Sequence, residues 1–101
     1  MTAYAIAEIQ VDDPSTYAAY KAQVAETLVP YDGHYLARGG TAELLEDSLS
    51  PDGPQPPGRV VVIAFPDMAK LNAWAESEAY AGPKAIRQSA ARARILAVAG
   101  V

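Results

Sequence analysis

The chain has 101 residues, 50% of them hydrophobic and 20% charged, which is typical of one globular domain. A net charge of −4, without a basic stripe carrying interleaved aromatic residues, argues against nucleic-acid binding. The absence of cysteine excludes disulfides and cysteine-bound metal centres, and a single histidine excludes a histidine-rich metal site within one chain. No apolar run reaches membrane-spanning length and no signal peptide is recognisable, so we expect no membrane contact and a cytoplasmic location.

The first part of the chain predicts a strand followed by a helix. Residues alternate from Ala3 to Val11, and one face of this strand is nearly all small, which lets a helix pack closely. Asp13 is expected to cap the helix, with Pro14 at its first position and Pro30 near its end. Its apolar stripe, at spacings of three and four, consists of Tyr17, Tyr20, Val24 and Leu28.

The middle of the chain predicts a second strand and an irregular segment. The strand runs from Gly33 to Arg38, and the pair Gly39-Gly40 permits a bulge or bend after it. Residues 42–47 are expected to stay extended. Residues 50–58, rich in proline and glycine, are expected to form an exposed and flexible loop.

The strongest strand signal is the β-branched run from Arg59 to Phe65, which predicts a central strand buried on both faces. Asp67 is expected to cap the next helix. The apolar stripe of that helix consists of Met68, Leu71, Trp74 and Ala75.

The last part of the chain predicts more helix and a final strand. Ser77 is expected to cap a further turn that carries Tyr80. Gly82-Pro83 is expected to break or kink this helix before it resumes from Lys84 to Ala91. A short strand is predicted from Arg94 to Ala99.

The order β-α-β-β-α-β predicts one ferredoxin-like α+β domain over residues 1–101, with an antiparallel four-stranded sheet and both helices on one face. The other face carries valine, isoleucine and leucine and needs a cover. A homodimer in which two sheets pair face to face would supply it. The chain has no phosphate loop and no dinucleotide fingerprint, and we expect no cofactor.

Two residues of the second strand are candidates for catalysis. His34 would share a face with Leu36 and Arg38 if no bulge intervenes, and it is a candidate general base or else a solvated edge residue. Arg38 is a candidate anchor for a carboxylate or enolate. The alternative for Arg38 is an ion pair with Glu8 or Glu43 across the sheet.

Other side chains are candidates for a ligand pocket between sheet and helices: Tyr17, Tyr20, Trp74, Tyr80 and Arg87. The alternative for the aromatic residues is ordinary core packing, and for Arg87 it is capping of a helix end, where a cation is favourable. Glu8 is either a buried acid or a salt-bridge partner. Ser77 is interpreted as a helix cap rather than a nucleophile, because the chain has no Gly-x-Ser-x-Gly elbow.

Several stretches in combination resemble the domain-of-unknown-function 1330 family over almost the whole chain. They are Asp13-Pro14 with the tyrosines that follow, Arg38-Gly39-Gly40, Arg59–Pro66, and Ala85-Ile86-Arg87-Gln88. The resemblance implies the dimeric α/β barrel superfamily, which includes cofactor-free monooxygenases, muconolactone-type isomerases and haem proteins. It also implies a ligand cavity between the sheet and the helices of each subunit. This chain departs from the family where a glutamate usually precedes Phe-Pro, since that position is Ala64, and in its longer insert at 50–58.

Two functional hypotheses follow. In the first, the protein binds or transforms a small organic molecule, with His34 as proton acceptor, Arg38 as anion stabiliser, and Tyr20 and Trp74 as pocket walls. In the second, it is a non-catalytic dimeric structural or ligand-sensing module, which Ala64 in place of the glutamate favours. Haem binding is a more distant alternative that depends on His34, the sole imidazole.

Overall fold

The computed structural model of the chain describes residues 1–101 and contains four strands, three α-helices and one 3₁₀ turn. The elements are β1 (Ala3–Val11), α1 (Pro14–Leu28), the 3₁₀ turn Val29–Tyr31, β2 (His34–Arg38), β3 (Arg59–Phe65), α2 (Met68–Ala75), α3 (Glu78–Ala90) and β4 (Ala91–Ala99). The strands form one antiparallel sheet in the order β2-β3-β1-β4. This is the ferredoxin-like α+β arrangement that the element order predicts.

The two faces of the sheet differ because the strands alternate. On β1, Ala3, Ala5, Ala7 and Ile9 are buried beneath the helices, whereas Ile6 and Glu8 on the opposite side are exposed. β3 lies between β2 and β1, as predicted for a central strand, and is buried at Val61, Ile63, Ala64 and Phe65. The predicted burial on both faces is incomplete, because Val60 and Val62 are only half-buried. The hydrophobic core cluster therefore lies on the helix-covered face, and Ala64 is the one buried residue on the other face of the sheet.

Each α-helix begins at a side-chain cap that the sequence predicts. The Asp13 carboxylate accepts a hydrogen bond from the Thr16 amide at 3.2 Å. The Asp67 carboxylate accepts one from the Lys70 amide at 2.8 Å. Ser77 caps α3 in the same way, and all three caps satisfy amides that the first helical turn leaves without partners.

Of the break or kink predicted at Gly82-Pro83, the break does not occur. α3 runs through Pro83 without interruption, and the helical region is divided earlier, where α2 ends at Ala75 and Ser77 caps α3. Pro83 removes one backbone hydrogen bond, but its ring is buried, so packing offsets that loss. None of the helices is both long enough and apolar enough to cross a membrane.

The last strand is longer than predicted and begins directly at Ala91, where α3 ends. The amides of Asp12 and Asp13 both donate to the Ala90 carbonyl, each at 2.9 Å. These bonds fix the chain reversal, and β4 then pairs with β1 along its whole length.

Residues 39–58 connect β2 to β3 without forming a helix or a strand. Asp47 organises part of this segment, because its carboxylate accepts hydrogen bonds from the amides of Leu49, Ser50 and Gln55 and from the Ser50 hydroxyl. These bonds stabilise the charged form and lower the pKa of Asp47.

A buried hydrogen bond joins α1 to α2 at the centre of the helix layer. The indole Nε1 of Trp74 donates to Thr27 Oγ1 at 2.9 Å, and that hydroxyl donates to the Val24 carbonyl at 2.6 Å. Trp74 also packs on Phe65 and Tyr80, with ring centroids 5.5 and 4.1 Å apart. Thr27 is thus the polar contact that orients the central aromatic cluster.

Replacing Thr27 by valine keeps the side-chain shape but leaves the Trp74 indole N–H buried without an acceptor. We expect Thr27→Val to lower the free energy of unfolding by about 1–3 kcal/mol. Urea denaturation would measure the change, with Thr41→Val, at an exposed position, as the matched control. If Thr27→Val lowers the free energy of unfolding no more than the control does, the hydrogen bond does not stabilise the fold.

Candidate functional site

A cavity of about 270 Å³ lies between the helix-covered face of the sheet and the helices. Thirteen of its 18 lining residues are hydrophobic. Its floor includes Ala5, Ala7, Val61 and Ile63, and its walls include Tyr17, Tyr20, Trp74 and Tyr80. The small residues of β1 leave this space open because the large aromatic rings stand around it rather than filling it.

Two tyrosines and an arginine form a hydrogen-bonded chain in the cavity wall. Tyr20 Oη on α1 lies 3.1 Å from Tyr80 Oη on α3. Arg87, two turns after Tyr80 on α3, donates from Nε to Tyr80 Oη at 3.4 Å. The Tyr80 hydroxyl therefore contacts both the Tyr20 phenol on α1 and the Arg87 guanidinium on α3.

Burial and the neighbouring phenol of Tyr80 raise the pKa of Tyr20 far above its usual value, despite the opposing effect of Arg87. Burial likewise raises the pKa of Tyr35, which lines the same cavity. Both phenols therefore stay protonated at neutral pH. They can donate hydrogen bonds to a ligand, but they do not act as bases.

The charged residues of the cavity are all basic. Five of the chain's eight basic side chains line it, and none of its twelve acidic ones does. The basic residues are Lys21, Arg38, Arg59, Lys84 and Arg87. No carboxylate and no imidazole line the cavity, although the chain as a whole carries a net charge of −4.

Arg87 is the most buried of these cations, with 7% of its surface exposed. No carboxylate oxygen lies within 4.0 Å of its guanidinium nitrogens. The one salt bridge of the structure joins Arg92 to Asp12. Its position in the last turn of α3 places it near the carbonyl end of the helix dipole, which offsets part of the burial cost. The charge is otherwise met only by Tyr80.

Arg59 is a site residue that the sequence reasoning missed. It lies at the start of β3, on the same side as Val61 and Ile63. Its guanidinium lies 5.7 Å from the Tyr17 ring centroid, and its buried Nε has no hydrogen-bond partner. Gly39 makes room for it. That residue has a φ of 72°, and a Cβ there would collide with the Arg59 guanidinium. The alternation of β3 was the signal that identifies Arg59.

Lys21 and Lys84 were also missed as lining residues. Lys21 follows Tyr17 by four positions on α1, and Lys84 follows Tyr80 by four positions on α3. Residues at this spacing lie on one helix face, so helical periodicity was sufficient to identify them.

His34 and Arg38 do not share a face, because the condition that no bulge intervenes is not met. A bulge at Leu36 shifts the β2–β3 register, so that Tyr35 pairs with Ile63 but Ala37 pairs with Val62. Arg38 therefore lies on the helix-covered face and lines the cavity. His34 lies on the opposite, uncovered face, so the structure does not bring these two residues together.

The bulge places Arg38 in contact with α1 and with Tyr35. Its Nη2 donates to the Lys21 carbonyl at 2.8 Å, and its guanidinium lies 4.5 Å from the Tyr35 ring centroid. It forms no ion pair with Glu8 or Glu43, the partners that the sequence left open. Gly39-Gly40 permits a bulge or bend, but the bulge lies three residues before Gly39, at Leu36.

The predicted ligand-pocket residues all line this one cavity: Tyr17, Tyr20, Trp74, Tyr80 and Arg87. The four aromatic residues also belong to the buried hydrophobic core, so the core-packing alternative describes them equally. Glu8 lies exposed on the uncovered sheet face, opposite Arg94 of β4. Ser77 is a helix cap, as interpreted. No group of three histidine or acidic side chains is arranged to hold a metal ion.

The sequence matches the protein family described as "Domain of unknown function (DUF1330)" over residues 2–101. The chain belongs to this family. No curated protein has significant sequence similarity to it.

Solved structures resemble this DUF1330 chain in fold. A protein of unknown function from Rhodopseudomonas palustris superposes with a TM-score of 0.78 at 14% identity, covering 99% of this chain and 82% of the other. A dimeric ferredoxin-like protein of unknown function from Jannaschia sp. CCS1 has a TM-score of 0.63 at 12% identity, covering 99% and 100%. An antibiotic biosynthesis monooxygenase has a TM-score of 0.52 at 15% identity, covering 100% and 99%. At these identities the likeness shows the ferredoxin-like fold alone.

The raised pKa of Tyr20 predicts how stability falls at high pH. Above pH 10, the usual tyrosine pKa, the unfolded chain releases this proton while the folded chain keeps it, so rising pH favours unfolding. We expect Tyr20→Phe to reduce that alkaline loss by up to about 1.4 kcal/mol per pH unit. The measurement is the free energy of unfolding from pH 8 to about 11, with Tyr31→Phe as control. Equal slopes for wild type and Tyr20→Phe would contradict the assignment.

Proposed function

We propose that this DUF1330 domain binds a small organic molecule in the cavity between its sheet and its helices. One observation carries the proposal. Phenol and guanidinium groups line an otherwise apolar cavity, and none of the guanidinium groups has a carboxylate partner within the chain. Binding sites for small molecules commonly combine an apolar lining with a few polar groups that orient the ligand. A volume of about 270 Å³ lies near the small end of the usual range, so the ligand is compact.

The lining supports binding more than proton abstraction. An oxygenase-like or isomerase-like reaction, as the superfamily resemblance and the monooxygenase neighbour raise, requires a proton acceptor and an anion stabiliser. Arg38 and Arg87 are suited to stabilise an anion. The cavity offers no carboxylate or imidazole as acceptor, and Tyr20 keeps its proton. A ligand-binding or ligand-sensing role is therefore the version that this geometry favours.

We further propose that two copies associate through the uncovered sheet face to form a dimeric α/β barrel. Two apolar rows cross this face, one through Val62, Ile6 and Leu96 and one through Ala64, Tyr4 and Val98. Ile6, Leu96 and Val98 are 36%, 51% and 45% exposed. A second copy presents the same rows and would bury them, and the dimeric ferredoxin-like neighbour supports such pairing.

His34 lies at the edge of this proposed interface, because it pairs with Ala64 in the second row. Its role in the proposal is therefore in association rather than in ligand contact. We expect His34→Ala to leave ligand binding in the cavity unchanged. The catalytic role that the sequence raised for His34 has no counterpart in this proposal.

Filling the cavity tests the binding proposal. Ala7 lies on the cavity floor, so we expect Ala7→Leu to occupy the space and to abolish the thermal stabilisation that a bound compound gives. A compound library screened by thermal shift and native mass spectrometry would provide the compounds. The matched control is Ala97→Leu. Ala97 lies on β4 on the same side of the sheet as Ala7, but it does not line the cavity. Compounds that bind Ala7→Leu as well as wild type would place the binding elsewhere.

A charge in the uncovered face tests the dimer. We expect Ile6→Asp to shift the solution mass, measured by light scattering, from two chains to one, because a carboxylate buried between the sheets would lack a partner. Val29→Asp is the control, since Val29 is 71% exposed on the 3₁₀ turn outside the sheet. A wild-type monomer at micromolar concentration would contradict the proposal.

A further inference from the structure

We infer that the ligand of this cavity is an organic carboxylate with a compact aromatic or otherwise apolar body. The inference rests on the proposed function and names the chemical class of the molecule. It comes from the sign of the charges around the cavity, the state of one buried arginine, and the character of the remaining lining.

The sign of the charges is opposite to that of the protein. A chain with twelve acidic and eight basic side chains places five basic residues and no acidic one around a single cavity. None of the five forms a salt bridge with a carboxylate of the chain, since the one salt bridge joins Arg92 to Asp12. An anionic ligand would supply the missing charge.

Arg87 shows the same imbalance at one side chain. It is 7% exposed, lies in the cavity wall, and has one hydrogen bond, to Tyr80, and no carboxylate partner. A buried guanidinium normally has a partner for its charge and its several donors. Its planar fork matches a carboxylate with two parallel hydrogen bonds, and the protonated phenol of Tyr20 lies within the same hydrogen-bonded chain.

Arg59 provides an independent observation from a different element, β3. Its Nε is buried without a hydrogen-bond partner, and the backbone at Gly39 is shaped to admit its guanidinium. A buried donor without a partner costs free energy. Two arginines from different elements, one on α3 and one on β3, thus line the cavity with unused donor capacity.

The rest of the lining limits the body of the ligand. The aromatic walls include Tyr17, Tyr35 and Trp74, and the floor is alanine, valine and isoleucine. Such surfaces favour flat aromatic or aliphatic groups. They offer no carboxylate acceptors for sugar hydroxyls, and about 270 Å³ is small for a nucleotide. One acid group on an apolar body fits both parts of the site.

The test compares matched acids and amides of the same shape. The probes are benzoate with benzamide and 2-naphthoate with 2-naphthamide, titrated by calorimetry into wild type, Ala7→Leu, Arg87→Met and Arg92→Gln. For wild type we expect each acid to bind at least about tenfold more tightly than its amide. We expect Ala7→Leu to remove binding of both. Arg92 is 76% exposed and pairs with Asp12 at the surface, so Arg92→Gln should retain the preference.

Arg87→Met separates a binding role from a structural one. Methionine keeps the apolar stem and removes the unpaired charge, so we expect the ligand-free protein to melt at the same or a higher temperature while the preference for acids falls to about one. A lower melting temperature with the preference intact would overturn the assignment of Arg87. Arg87→Lys, which keeps the charge without the planar fork, should retain part of the preference.

The remaining outcomes distinguish the inference from the function beneath it. Amides that bind as tightly as acids, with binding lost in Ala7→Leu, would overturn the carboxylate inference and leave the proposed function standing. Acid binding that persists in Ala7→Leu would mean surface attraction to cations and would overturn the inference. No binding of any probe at millimolar concentration would contradict both.

Discussion

The hydrogen bond between Tyr20 and Tyr80 is the contact on which the site depends. It joins α1 to α3 inside the helix layer and keeps both phenols buried, and it places the acceptor that holds Arg87. Tyr80 also packs on Trp74, with ring centroids 4.1 Å apart, and the Trp74 indole N–H donates a hydrogen bond to Thr27. The aromatic layer is thereby held above the alanine floor of β1 instead of collapsing onto it. A cavity with polar groups in its wall is the result.

This arrangement has an energetic consequence. The interior of a small domain contributes little surplus stability, so a buried guanidinium without a counter-charge is a cost that selection for folding alone would remove. Such costs are typical of sites that bind a ligand, where the missing partner arrives with the molecule. The same reasoning applies to the orphaned Nε of Arg59. The fold is shared with proteins of differing descriptions, so the charges of this lining, and not the fold, carry the functional argument.

Much of the fold was predictable because local rules set it. The caps at Asp13, Asp67 and Ser77 and the alternation of β1 follow from residue type and spacing, and the structure confirms them. The aromatic lining was predictable for the same reason. Pro83 misled because tertiary packing outweighs a single lost backbone hydrogen bond.

The placement of His34 and Arg38 on opposite faces of the sheet was not predictable, because a bulge depends on the contacts that both strands make. No residue type near Leu36 marks the extra position, and the register shift reverses the face of everything after it. The absence of any acid around the cavity is also a three-dimensional property, since acids and bases are mixed along the chain. Arg59 is different, because strand alternation alone places it beside Val61 on the cavity side.

A crystal structure of the protein with 2-naphthoate tests the central claim most directly. The account predicts the naphthyl ring among Tyr17, Tyr35 and Trp74, with the carboxylate accepting hydrogen bonds from Arg87 at about 2.7–2.9 Å. A naphthoate bound at the protein surface, or seated in the cavity with its carboxylate turned away from Arg87 and Arg59, would contradict it.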